Sequence, residues 1–442
     1  MGIAYSGQVS QGGAFQFDKD SLGLLREAIE RMERGFSSLP AFDPPHVDEA
    51  AIRKVLLEVA ERMHDNYPYF HPQYAGQMLK PPHPVARLAY SLALHINPNN
   101  HALDGGRASS RMEKEAVAEI ARMFGWDAHL GHLTSGGTMA NLEALWIAGQ
   151  LRPDGVILAS EQAHYTHNRI SGVLKLAFES VPTDRHARMD LTALEDRLKQ
   201  GGVGTVVATL GTTATGSVDP LPGILELRDR YKFRLHADCA YGGYYILASN
   251  LAPPARQAFD RLRDVDSIVI DPHKHGLQPY GCGCVLFRDP GVGKFYKHDS
   301  PYTYFSSKDL HLGEISLECS RAGAAAVALW ATQRLFPLVR GGEFAGMLDE
   351  CRAAALTLHT DLSNDDRFVA AFEPELDIVV WIVRAETLSR SSDLAQRFFA
   401  DSARNDRHLA LAELPARYFA TDSKAPDPNA SVVCLRSVLM KP

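Results

Sequence analysis

The chain has 442 residues, 45% of them hydrophobic and 22% charged, a composition that suits a large globular protein with room for more than one structural region. Its formal net charge of -7 argues against nucleic acid or an anionic membrane surface as partner, because both select basic patches. No apolar run approaches the twenty residues of a membrane span, and the opening MGIAYSGQVSQGGAF lacks the basic and apolar regions of a signal peptide. Six scattered cysteines without a C-x-x-C predict reduced thiols and a cytoplasmic setting.

Residues 1–80 read as an N-terminal helical arm interrupted by the Pro-rich LPAFDPPH. Residues 81–336 alternate between helical and strand patterns. Met112, Val117, Ile120, Ala121 and Phe124 share one face of a helix. Short apolar runs follow at 155–160, 204–211, 233–238, 267–271 and 283–289, and they suit strands buried on both faces. This alternation predicts an α/β fold with a mostly parallel central sheet and helices on both faces. A helix is expected over 321–336. Residues 337–442 read as a small C-terminal α+β domain with strands at 376–383 and 431–439.

Ligands of such sheets collect at the carboxyl ends of the strands. Four of the runs deliver polar or ionisable residues there: Ser160 to His164, Gly211 to Thr213, His236 to Asp238, and Asp271 to Lys274. Lys274 sits between His273 and His275 where a buried strand ends. A lysine there can lose its proton in a desolvated pocket and attack an aldehyde, as in a Schiff base with pyridoxal 5'-phosphate. Taken alone it reads as a surface loop lysine. Asp238 could hold a pyridine nitrogen protonated, although a helix cap or salt bridge explains a lone Asp equally well. Small Ala240 would let a flat ring approach. Ser135-Gly136-Gly137-Thr138 before a helical stretch makes a phosphate seat or a simple capped loop. His164 could lie on an aromatic cofactor face, and His273 could donate to the phosphate. The histidines lack the further partners or the H-E-x-x-H spacing of a metal centre, so no metal is expected. GGVGTVV at 201–207 precedes its strand and is not a dinucleotide fingerprint.

In order along the chain, SGGTMAN, QAH, ATLGTTATGSVD, HADCAYGG and DPHKHG resemble the group II pyridoxal-5'-phosphate-dependent amino acid decarboxylases, of fold type I (aspartate aminotransferase-like). The resemblance runs from about residue 65 to the C-terminus. It implies that Lys274 is the Schiff-base lysine and His273 its phosphate-contacting neighbour. It makes Asp238 the partner of the pyridine nitrogen, Ala240 the residue under the ring and His164 the stacking histidine. Gly137 and Thr138 become phosphate contacts, and Thr213 the hydroxyl near the ring oxygen. ISLECSRAGAAAVALW at 315–330 resembles the segment that reaches the partner subunit's site, with Ser320 and Arg321 at the contact, which implies a homodimer joined partly through the N-terminal arm. Two features depart from the family pattern. Asp271 stands where many relatives carry Asn. The loop 298–313 offers Tyr302, Tyr304 and His311 as proton donors, of which Tyr302 is favoured. The resemblance implies decarboxylation of an L-amino acid to an amine and carbon dioxide. The segment ECSRAGAAAVALWATQRLFP resembles bacterial tyrosine decarboxylases, and the aromatic NYPYFHPQYAGQM at 66–78 could line an apolar side-chain pocket or pack as a dimer arm; the resemblance thus implies an aromatic substrate such as L-tyrosine. A carbon–carbon lyase of the sphingosine-phosphate lyase type, and an oxidative deaminase giving an aldehyde, are the alternatives.

Overall fold

The computed structural model describes residues 17–43, 46–297, 310–419 and 430–441. Tyr302 and Tyr304 therefore lie outside the described residues. The chain divides into two units, residues 1–45 and 46–442. The first carries helix α1 (Leu22–Gly35), which buries none of its side chains.

The second unit begins with α2 (Glu49–Met63), capped by the Asp48 carboxylate on the Ala51 amide. Then come α3 (Pro84–Leu94) and α4 (Arg107–Met123). The alternating region supplies β1 (Leu130–Thr134), α5 (Gly137–Leu151), β2 (Val156–Ser160), α6 (Thr166–Leu174), β3 (Phe178–Val181), α7 (Leu191–Lys199) and β4 (Val203–Thr209). It continues with α8 (Leu221–Tyr231), β5 (Arg234–Asp238), α9 (Pro253–Asp260), β6 (Ser267–Ile270) and β7 (Gly283–Phe287). The chain ends with α10 (Gly323–Leu335), α11 (Glu343–Ser363), β8 (Phe368–Ala370), β9 (Ile378–Val383), α12 (Leu388–Arg404), β10 (Ala410–Pro415) and β11 (Ser431–Val438).

The strands form a seven-stranded sheet of order β1-β7-β6-β5-β4-β2-β3 and a four-stranded sheet of order β10-β11-β9-β8. From β6 through β3 the large sheet is parallel. β7 runs antiparallel to both β6 and β1. The reason is the connection: residues 271–282 contain no helix, and a parallel return needs a crossover. The small sheet is antiparallel throughout.

Side chains of each strand alternate between two apolar layers. Ile268 and Ile270 join a core with Ile120 of α4, Phe124 just after it, Leu225 of α8 and Phe259 of α9. Val269 between them faces the other way and packs with Ala140, Ala144 and Ile147 of α5. The small sheet repeats the pattern. Val379 and Trp381 pack with Ala355 of α11 and Ala395 of α12, whereas Ile378, Val380 and Ile382 join the large core. Each fully buried Ile or Val contributes about 1.5–3 kcal/mol, so the doubly covered strands give the loops at their ends a rigid base.

Candidate functional site

One cavity of about 330 Å³ opens at the carboxyl ends of the parallel strands. It is bordered by Ser135, Gly136, Gly137 and Thr138 before and at the start of α5, His164 after β2, Gly211 and Thr213 after β4, Asp238 and Ala240 at the end of β5, and Asp271, His273 and Lys274 after β6. The strand ends thus bring together eight residues singled out from sequence: Gly137, Thr138, His164, Thr213, Asp238, Ala240, His273 and Lys274.

The turn into α5 is shaped by close backbone approach. A Cβ at Gly137 would stand 2.6 Å from Asp271 Oδ2, and one at Gly283 of β7 would stand 2.5 Å from the Gly136 carbonyl carbon. The first-turn amides of a helix have no intrahelical acceptor and carry the positive end of the dipole. One of the neighbouring amides, Ser135 N–H, donates to Glu318 Oε2 at 3.0 Å.

Lys274 Nζ lies 3.2 Å from Asp271 Oδ2, and His273 Nε2 lies 3.5 Å from the same oxygen. Asp271 is therefore flanked by basic groups. Burial pulls the His273 imidazole below its ordinary value, against the pull of Asp271. The His273 ring packs on Tyr280 with centroids 4.6 Å apart and the planes tilted by 31°. Tyr280 in turn donates to the Met78 carbonyl at 3.1 Å, which ties the aromatic stretch at 66–78 to the edge of the site.

Asp238 is the most elaborately held group. Its Oδ2 receives His167 Nε2 at 2.8 Å and Asn141 Nδ2 at 3.3 Å, and its Oδ1 accepts from Ala240 N at 3.0 Å. Burial pushes the carboxyl up, but the hydrogen bonds and Coulombic attraction of His167, with Ala240 N–H and Lys274, outweigh it and hold the group well below the usual carboxylate range. Behind this carboxylate Asn141 Oδ1 meets His236 Nε2 at 2.8 Å, and His236 Nδ1 meets Ser267 Oγ at 2.9 Å. His164 is half-buried, and its Nδ1 is occupied by the Thr166 amide at 3.3 Å and hydroxyl at 2.8 Å. Burial also lowers its pKa.

His167 and Asn141 were not anticipated from sequence. The available signal was position: His167 lies in the first turn of α6, and Asn141 one turn into α5. Two expected residues lie elsewhere. Ser320 Oγ accepts from Asn99 Nδ2 at 3.1 Å, and Arg321 pairs with buried Glu113 at 2.8 Å; neither borders the cavity. His311 is buried, and its Nδ1 accepts from Leu103 N at 3.0 Å.

The cavity fits pyridoxal 5'-phosphate. It pairs an anion-seating helix start with a lysine amine and an ionised carboxylate. Its floor also carries His273 Nδ1 and Asp271 Oδ1, buried without a hydrogen-bond partner among the described residues.

The fold is shared with the crystal structure of mouse CSAD in apo form, at a TM-score of 0.76 and 19% identity over 96% of this chain and 95% of that one. An α/β fold with a lysine and an acid at its strand ends is thereby defined. The particular family follows from sequence. Residues 51–384 match the pyridoxal-dependent decarboxylase conserved domain, and the chain belongs to that family of pyridoxal phosphate-dependent amino acid decarboxylases. An L-tyrosine decarboxylase of Enterococcus faecium is 27% identical over 465 residues, covering 80% of this chain and 76% of that protein. An L-aspartate decarboxylase of Thermococcus kodakarensis is 29% identical over 287 residues, covering 64% of this chain and 72% of that protein. Among the described residues no helix is long and apolar enough to cross a membrane.

Proposed function

We propose that the chain decarboxylates an aromatic L-amino acid, L-tyrosine being the leading candidate, to the amine and carbon dioxide. The observation that carries the choice of substrate is the cavity lining. Among the described residues it contains no arginine and no lysine besides Lys274. An acidic side chain buried there would lack a counter-charge, at a cost of several kcal/mol. An aromatic side chain needs apolar surface, and Tyr67, Tyr69 and Tyr74 cluster in the segment that Tyr280 ties to the site.

In this reading pyridoxal 5'-phosphate, when bound, supplies the ring that accepts the electron pair of the broken Cα–carboxylate bond. Lys274 would hold the cofactor through its aldehyde. Asp238, kept ionised by His167, holds a proton on the ring nitrogen, an electrostatic effect worth several kcal/mol at the moment charge arrives. Gly137, Thr138 and His273 seat the phosphate. Thr213, which borders the cavity, would offer its hydroxyl to the ring oxygen. His164, with Nδ1 engaged by Thr166, keeps Nε2 for the substrate carboxylate. Tyr302 is proposed as the donor that returns a proton to the α-carbon.

We propose further that the active unit is a homodimer. Helix α2 buries none of its residues, and Val55, Leu56 and Val59 are among its exposed side chains, a face that a second copy would cover. Ser320 is exposed and lies outside the cavity of its own chain, as a residue serving the partner's site would, whereas Arg321 is engaged by Glu113 of its own chain.

Product analysis by mass spectrometry tests the assignment. Purified protein loaded with pyridoxal 5'-phosphate is offered L-Tyr, L-Phe, L-Trp, L-Asp and L-Glu in turn. Amine from the aromatic amino acids is expected. Amine from L-Asp or L-Glu alone refutes the substrate assignment, and aldehyde in place of amine refutes simple decarboxylation.

A further inference from the structure

Lys274 stands between two histidines, and only His273 borders the cavity. His275 is 1% exposed, with its ring edge-on to Tyr241 at 4.8 Å and Tyr245 at 5.2 Å. Its Nε2 lies 3.3 Å from Asp377 Oδ2, and neither side chain of this pair reaches solvent. Asp377 immediately precedes β9 of the small sheet. Its Oδ1 accepts from the Tyr241 hydroxyl at 2.6 Å, and its carbonyl accepts from Leu439 N at 2.9 Å. Burial pushes the Asp377 carboxyl up, but His275 and Tyr241 outweigh it and hold it below the ordinary range. The other ionisable groups acting on Asp377 are Lys80, Tyr245, Cys351 and Arg436.

Such a pair is a poor source of stability. Two polar groups taken fully out of water are often replaced by packed apolar side chains without loss. What the pair supplies is direction. It joins the loop after β6 to the small sheet, at the residue next to Lys274. Tyr241, which shares Asp377, is itself a wall of the cavity.

We propose that His275 is a positioning residue. Packed edge-on against Tyr241, with Nε2 within ion-pair range of Asp377, it fixes the peptide that carries Lys274 and makes the small sheet part of the cofactor lysine's mounting. The proposal rests on the reading of Lys274 as the residue that bears the cofactor.

The test uses holoenzyme variants His275→Phe, His275→Gln, Asp377→Asn and the double variant His275→Phe/Asp377→Asn. Phe fills the ring's space without a nitrogen; Gln keeps a donor for Asp377. His275→Phe is expected to lower kcat at least about tenfold and to leave KM within about twofold. His275→Gln restores kcat to within about threefold of wild type. Asp377→Asn removes the negative charge that faces His275, the neighbour of Lys274, and is expected to lower the pH at which the visible absorbance of the Lys274–cofactor linkage titrates. The double variant recovers thermal stability but not kcat.

A double variant with both wild-type stability and wild-type kcat reduces the pair to packing and overturns the proposal. So do an Asp377→Asn absorbance titration that does not move and a Phe variant as active as the Gln variant. If the wild type shows no absorbance that Lys274→Ala abolishes, the reading of Lys274 itself falls, and the proposal with it.

Discussion

Replacement of His167 by Phe isolates the control of Asp238. The imidazole and carboxylate meet at 2.8 Å, with side-chain exposures of 0% and 6%, so water cannot substitute for the lost partner. Asp238 keeps the Ala240 amide at 3.0 Å and the Asn141 amide at a longer 3.3 Å. A hydrogen bond to a buried charge is worth about 1.5–3 kcal/mol, and stripping a buried pair of one partner costs about 3–5 kcal/mol. We take about 3 kcal/mol. Unfolding entropy near 2.1 cal/mol/K per residue over 442 residues makes this a fall of only about 3 °C in Tm. The same energy spent on the ionised state of Asp238 is about two powers of ten in rate. His167→Phe should therefore lower kcat about a hundredfold while barely softening the fold. Because the folded carboxyl is depressed, its stabilisation is present above the unfolded value near 3.9 and is lost as pH falls through the folded one. The Tm gap between wild type and variant should be steady near neutrality and close below about pH 4. Steady-state amine production, cofactor titration and scanning calorimetry measure the three quantities. A variant that loses about 3 °C but keeps wild-type kcat and cofactor affinity refutes the reasoning.

Lys274→Ala should abolish turnover together with the lysine-dependent visible absorbance of the holoenzyme; an active mutant would remove Lys274 from the chemistry. Gly137→Ala forces a methyl to within 2.6 Å of Asp271 Oδ2, so cofactor affinity should fall at least about tenfold, read by equilibrium titration; unchanged affinity would mean the turn relaxes freely. Glu375 accepts from Val218 N at 2.7 Å, and its burial pushes the carboxyl up to about 7. A raised carboxyl stabilises the fold fully below its unfolded value near 4.5, and that stabilisation is lost as pH rises through about 7. Wild-type unfolding free energy should decline more steeply than that of Glu375→Gln across this window, by at most about 3 kcal/mol, and parallel curves would contradict the assignment.

The parts of the site that sequence displays are those that follow apolar runs. Asp238 and Lys274 can be read because each strand is announced by its own residues, and the parallel rule then gathers their ends. The antiparallel β7 has no such signature, since GCVLF is buried on both faces and reads like its parallel neighbours. Only the lack of a helix between 271 and 282 betrays the reversal. His167 and Asn141 escape because they sit inside helices, where a polar residue on a buried face looks like any other until the facing strand is known. The contact of His275 with Asp377 spans two sheets, and no local pattern encodes it.

The place of β1 bears on the order in which the molecule is made. β1 leads into the turn that opens α5, yet it enters the large sheet through β7, a strand that begins only at Gly283. A chain emerging from the ribosome has β2 to β5 in hand, able to pair with one another, well before the neighbour of β1 exists. Closing so long a loop is entropically costly and slow compared with the local pairings. The anion seat is thus completed after the lysine at 274 has been synthesised, and a nascent chain acquires its ability to retain the cofactor late, when the sheet that shields the site is nearly whole.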